Sequence, residues 1–151
     1  MSAERVTYNN LWFDENPAII CRVQTFLFKY LSSKPHPDWF RTILEGIHAN
    51  SGADVGKYFF DEEEIEQNPT KKQYLLKMLD KSIRKIASLS REEFVEYIAP
   101  EVEHSFARFY EMEYTNNKDK DLEWYLQTLQ NVKKLVQGEQ PDTLYYYNRE
   151  R

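Results

Sequence analysis

Two Glu-x-x-His stretches hold the side chains of this sequence best suited to chemistry: Glu45-Gly46-Ile47-His48 and Glu101-Val102-Glu103-His104. On a helix, residues three apart lie on one side, so each pair can offer a carboxylate and an imidazole to one metal ion. Arg41 stands seven residues before His48, which brings both onto one helix face with Glu45 between them. A guanidinium and an imidazole so placed could stabilise charge on a phosphate and move a proton. They come without a Gly-rich phosphate loop, a Cys-x-x-Cys or His-Glu-x-x-His signature, or a recognisable Ser or Cys nucleophile.

The doubled Glu-x-x-His spacing, with Glu15 upstream of the first pair and Glu66 upstream of the second, resembles the di-metal site of ferritin-like bundles. That resemblance implies Glu45, His48, Glu101 and His104 as metal ligands pointing into a bundle. The apolar pattern points them elsewhere. At ~100° per residue, Glu101 and His104 turn away from the stripe of Phe94, Ile98, Val102 and Phe106, and Glu45 opposes Trp39, Ile43 and Ile47. The Arg41-x6-His48 pair, with Thr42 at the polar position after the arginine, resembles the active-site motif of HEPN ribonucleases. That resemblance implies RNA cleavage by Arg41 and His48, often across a dimer. Arg41 and Glu45 also have the spacing of a plain i,i+4 ion pair. The expectation is therefore of solvated faces, with no catalytic residue, metal ligand or cofactor. Arg41 with His48, and Glu45, His48, Glu101 with His104, stand as the alternatives.

Charge is segregated along the chain. Asp61-Glu62-Glu63-Glu64 with Glu66 forms an acidic block directly after Tyr58-Phe59-Phe60, and Lys77, Lys81, Arg84 and Lys85 follow on the outer face of the next helix. Carboxylates beside aromatic anchors suit a basic protein partner, because the charges steer association while the rings supply contact area. Tyr58, Asp61, Glu62, Glu63, Glu64 and Glu66, with Tyr145, Tyr146 and Tyr147 of the tail, are the expected partner-binding residues. The net charge of −5 and a pI near 5.3 disfavour nucleic acid and anionic lipid, both of which need a positive surface.

The elements that must position these residues are helical. Only 4 glycines against 11 Tyr and 9 Phe favour helix packing over a turn-rich β fold. Residues 1–13, ending in Leu11-Trp12-Phe13, are expected as an irregular arm docked on the bundle. Asp14 or Asn16 can cap a first helix with Pro17 in its first turn, and Ile19, Ile20, Val23, Phe26, Leu27, Tyr30 and Leu31 make it largely buried. His36-Pro37-Asp38 starts a second helix that Asn50-Ser51-Gly52 stops. Residues 53–67 are compatible with a short helix or a loop. Thr70 with Gln73 reads as a capping box for the next helix.

The stretch Leu89–Asn117 is expected as the central helix. Ser90 and Glu93 form its capping box, and Pro100 predicts a kink or break near Ala99. Leu122, Tyr125, Leu126, Leu129, Val132, Leu135 and Val136 describe the final helix, ended by Gly138 and Pro141, with a tail over 142–151. The fold expected is one all-α domain over 1–151, a bundle of about five to six helices. Cys21, the single cysteine, excludes an internal disulfide and reads as a small core residue. The N-terminal residues lack the apolar run of a signal peptide, and no stretch is apolar enough to span a bilayer, so the cytoplasm is the expected compartment. The functional expectation is a non-enzymatic interaction domain, in its most specific form an immunity or antitoxin-type inhibitor of a basic enzyme such as a toxin nuclease. An HEPN-like ribonuclease, a metal-binding bundle, and a small-molecule sensor lined by Trp12, Trp39, Trp124 and tyrosines are the other readings.

Overall fold

A computed structural model describes residues 4–51, 60–102 and 121–142. Among these residues six helices follow an N-terminal hairpin: β1 (Glu4–Tyr8), β2 (Leu11–Glu15), α1 (Pro17–Ser32), α2 (Asp38–Ser51), α3 (Glu62–Glu66), α4 (Pro69–Ala87), α5 (Arg91–Val102) and α6 (Asp121–Gln137). The all-α bundle is as the apolar periodicity implies. One hydrophobic cluster runs through it, from Phe13 of the hairpin through Phe26 of α1, Phe40 of α2, Leu79 of α4 and Phe94 of α5 to Leu129 of α6.

Helix α1 lies at the centre and packs against α2, α4, α5 and α6. Its residues from Ala18 to Leu27 are all buried, so its burial is nearly all-round rather than a stripe. Asn16 is the residue that caps it, accepting the Ala18 N–H at 2.8 Å, with Pro17 in the first turn where no intrahelical donor is needed. Cys21 is buried, as a small apolar residue of this helix should be.

The irregular N-terminal arm is a correction: the segment is an antiparallel hairpin with Val6 opposite Phe13 and Tyr8 opposite Leu11. Two asparagines in the left-handed region, Asn9 at φ 49° and Asn10 at φ 68°, turn the chain between the strands. Asparagine tolerates that region better than other residues with a Cβ, and two such positions match the twist a two-residue hairpin requires. Val6, Tyr8, Phe13 and Glu15 alternate inward, while Arg5 and Trp12 share the outer face. There the Arg5 guanidinium lies 3.7 Å from the Trp12 ring centre and donates to Asp14 at 2.9 and 3.2 Å.

The capping of α4 is a second correction. Asn68, not Thr70, accepts the Thr70 and Lys71 N–H groups, at 3.1 and 3.2 Å, with Pro69 opening the helix. Proline's missing donor fits the first helical position, which moves the cap two residues upstream of the expected box. The Ser90 capping box is realised on both sides: Ser90 N–H donates to Glu93 at 2.9 Å, and Glu93 N–H donates to the Ser90 hydroxyl at 3.1 Å. Pro100 does not break α5, which continues to Val102. The remainder of the expected central helix, with Phe106, Phe109 and Tyr110, lies outside the described residues.

Candidate functional site

The hairpin, α2 and α3 line a concave cleft of about 790 Å³. Thr7, Asn10, Leu11 and Trp12 form its hairpin wall, and Thr42, Ile43 and Gly46 of α2 form the opposite one. Phe60 and the first turn of α3 complete it with Asp61, Glu62 and Glu64. Among the described residues the lining therefore combines apolar and aromatic surface with three carboxylates and no Lys or Arg. Gly46 leaves open space, since none of the described residues comes within 4 Å of where a Cβ would stand.

Each carboxylate at this end of the molecule also has a role within the fold. Asp61 caps α3, accepting the Glu63 N–H at 3.1 Å. Glu62 accepts the backbone N–H of Asn9 at 2.6 Å, and Glu66 accepts the Asn9 side-chain amide at 3.1 Å, so α3 holds the hairpin turn from below. Lys71 pairs with Glu64 at 2.9 Å and Lys72 with Glu66 at 2.8 Å. Glu63 receives the Gln67 amide at 3.3 Å. Among the described residues, five carboxylates against two lysines leave this surface negative. Tyr8 is buried against it, and burial together with Glu66 and Glu62 raises its phenol well above the ordinary range. Tyr58 and the Tyr145–Tyr147 triplet, also expected at a partner surface, lie outside the described residues.

Glu45 and His48 are exposed on α2, and His48 stacks on Phe28 of α1 at 4.2 Å between ring centres. The Arg41 guanidinium donates to the His36 carbonyl at 3.3 Å. Arg41 and Glu45 border a small depression of about 210 Å³ with Phe28 and Lys34, while His48 is not among its lining residues. Glu101 pairs with Lys29 of α1 at 3.2 Å, on the outside of the α1–α5 contact, and His104 is outside the described residues. Among the described residues no group of three or more His, Cys, Asp or Glu could hold a metal ion. His36, expected at a helix start, instead ties α1 to α4. Its Nε2 donates to the Leu31 carbonyl at 2.7 Å, and its Nδ1 shares a hydrogen bond with the Tyr74 hydroxyl at 2.6 Å.

A second polar constellation lies buried between α1, α5 and α6. Arg22 is fully buried, and its Nη1 donates to the Tyr125 hydroxyl at 3.2 Å. Asp121, also fully buried, receives Arg91 Nε at 2.9 and 3.0 Å and lies 3.5 Å from the Tyr125 hydroxyl. Burial pushes the Asp121 carboxyl above its ordinary range against the pull of Arg91, and pushes the Tyr125 phenol up to about 12. Further along α6, Thr128 donates to the buried carboxylate of Glu15 at 2.8 Å. Among the described residues this seam cross-links α1, α5 and α6. Sequence reasoning missed it, because Arg22 and Asp121 carry no motif; the one available signal was a charge inside the apolar run of α1.

No protein-family model matches the chain, and no curated protein and no solved structure matches it either. Among the described residues, no helix is long and apolar enough to cross a membrane.

Proposed function

We propose that the protein is a non-enzymatic interaction domain whose cleft between the hairpin, α2 and α3 receives a basic protein, most specifically as an immunity or antitoxin-type inhibitor of a cationic enzyme. The observation that carries this reading is the composition of the cleft wall: Trp12, Leu11 and Phe60 beside Asp61, Glu62 and Glu64, with no basic residue among the described residues that line it. Apolar anchors in a concave surface supply affinity, and an excess of carboxylates over lysines supplies attraction and selectivity for a positive partner. Occupying a toxin's cationic active site with carboxylates is one way such a surface inhibits.

The test uses the open space at Gly46. The immobilised chain is used to recover a partner from a lysate of its own cells, and that partner is then titrated into wild type and Gly46→Gln. A glutamine is a good helix former, so the variant fills the cleft without disturbing α2. The reading expects a basic partner whose affinity falls about tenfold or more in the variant, the loss typical of blocking an interface centre. A partner that is acidic, or that binds both proteins equally, rules it out.

A further inference from the structure

Helices α4 and α5 carry opposite charge on either side of a three-residue corner, Ser88 to Ser90. At the start of α4, Lys71 and Lys72 are taken by Glu64 and Glu66, and Asp80, the one acidic residue of the helix, is taken by Lys133 of α6 at 2.5 Å. Lys77, Lys81 and Arg84 are left over. At ~100° per residue they span about 60° of the outer face, opposite the buried Leu75, Leu79 and Ile86. Among the described residues the Lys77 and Lys81 side chains have no hydrogen bond or ion pair, and Arg84 donates only to the Asp80 carbonyl, at 3.4 Å. On α5, Glu92 and Glu96 are exposed on the face turned away from Phe94 and Ile98, and they too have no such partner. The Ser90 groups lower the Glu93 carboxyl between them, and Lys85 of α4 acts in the same direction, so the last basic turn of α4 stands beside the first acidic turn of α5.

We infer that a second copy of the chain docks at this corner, with Lys81 and Arg84 of each copy facing Glu92 and Glu96 of the other about a two-fold axis. A surface that is positive on one side of a line and negative on the other becomes its own complement after a two-fold rotation. Three or four residues of helix, about 5–6 Å, separate the members of each pair, so both can engage together. A separate polyanion fits less well, because Glu92, Glu93 and Glu96 beside the basic stripe repel it, whereas a second copy brings both signs. The acidic surface of α3 is also the poorer match. Its carboxylates already hold Asn9, Gln67, Lys71, Lys72 or a helix cap, while Glu92 and Glu96 hold nothing among the described residues. The contact does not use the cleft, so it stands or falls apart from the docking role proposed above.

The test is sedimentation equilibrium of the full chain at ~0.3 mM, in ~25 mM and in ~500 mM salt. The expected result is a mass rising from the 18.2 kDa of one chain toward twice that value at low salt, and returning to it at high salt, where the charges are screened. The reversals Lys81→Glu with Arg84→Glu, and Glu92→Lys with Glu96→Lys, should each stay monomeric at low salt. An equimolar mixture of the two should associate again, because every reversed charge then meets a reversed partner. Should either reversal lack a cooperative melt, Lys81→Gln with Arg84→Gln, or Glu92→Gln with Glu96→Gln, takes its place and should weaken association about tenfold or more. A wild type that stays at 18.2 kDa at low salt overturns the inference, and polyphosphate binding that the Lys81, Arg84 variant loses would then make the stripe a polyanion site. Double variants that associate as the wild type does, or a mixture of reversals that stays monomeric, overturn it as well.

Discussion

The backbone N–H of Asn9 donates to the carboxylate of Glu62 at 2.6 Å, joining residues 53 apart in sequence. Asn9 occupies the left-handed turn of the hairpin, and Glu62 opens α3. The contact makes one acidic residue serve both fold and surface: it anchors the turn and contributes charge to the cleft beside it. Reversing the acidic block to lysine would therefore disturb the hairpin as well as the charge. Amide substitutions separate the two roles, because they keep an acceptor oxygen.

Glu62→Ala should lower stability by about 1 kcal/mol, the usual net value of a hydrogen bond, and Glu62→Gln by less. Urea melts of both variants check this. Equal losses would mean that the Glu62 oxygen does not hold the Asn9 amide.

The cap of α4 can be assigned by a pair of substitutions. Asn68→Ala should cost about 1 kcal/mol, as losing an N-cap does, whereas Thr70→Ala should cost a few tenths at most. Thermal melts that rank them in the opposite order would restore the Thr70 capping box.

Two carboxyls should impart opposite pH dependence. The Ser90 backbone N–H, and then its hydroxyl, hold the Glu93 carboxyl below its ordinary range. Its contribution is complete above the unfolded pKa and is lost as pH falls through the lower folded value. Burial holds the Asp121 carboxyl above its ordinary range. The folded state then binds the Asp121 proton more tightly than the unfolded chain, so stability from this group falls as pH rises from the unfolded to the folded value, and is flat beyond. Carbon-detected titration of the two carboxyls should place Glu93 low and Asp121 high; the reverse order would contradict the assignment.

The buried seam makes a further contrast. Asp121→Asn removes the carboxylate that accepts from Arg91, and because burial already disfavours its charged form it should destabilise by about 1 kcal/mol, the net value of a hydrogen bond. Arg22→Met removes a buried cation whose Nε and Nη2 lack a hydrogen-bond partner, and should cost far less. Denaturant melts giving equal losses would show that Arg22 is as well compensated as Asp121.

The helices were legible because their burial repeats every three to four residues, as in Phe94 and Ile98 or Leu75, Met78 and Leu79. The hairpin was not, because its alternation spans only five residues per strand and ends in Asn9-Asn10 rather than a glycine-containing turn. A short apolar run such as Leu11-Trp12-Phe13 has no period of its own. The acidic block was legible as charge. Its internal contacts with Asn9, Lys71 and Lys72 were not, since they depend on which elements meet. The buried Arg22 was hidden for the same reason: its partner lies 103 residues away on α6.

The most direct test of the docking role titrates the recovered partner into wild type and into the triple variant Asp61→Asn, Glu62→Gln, Glu64→Gln. Asparagine still caps a helix and glutamine still accepts a hydrogen bond, so the hairpin and α3 stay in place while three charges are removed. Binding about tenfold or more weaker, with a salt dependence flatter than that of wild type and an unchanged melting temperature, is the expected result. Unchanged affinity and unchanged salt dependence would place the interface elsewhere on the molecule.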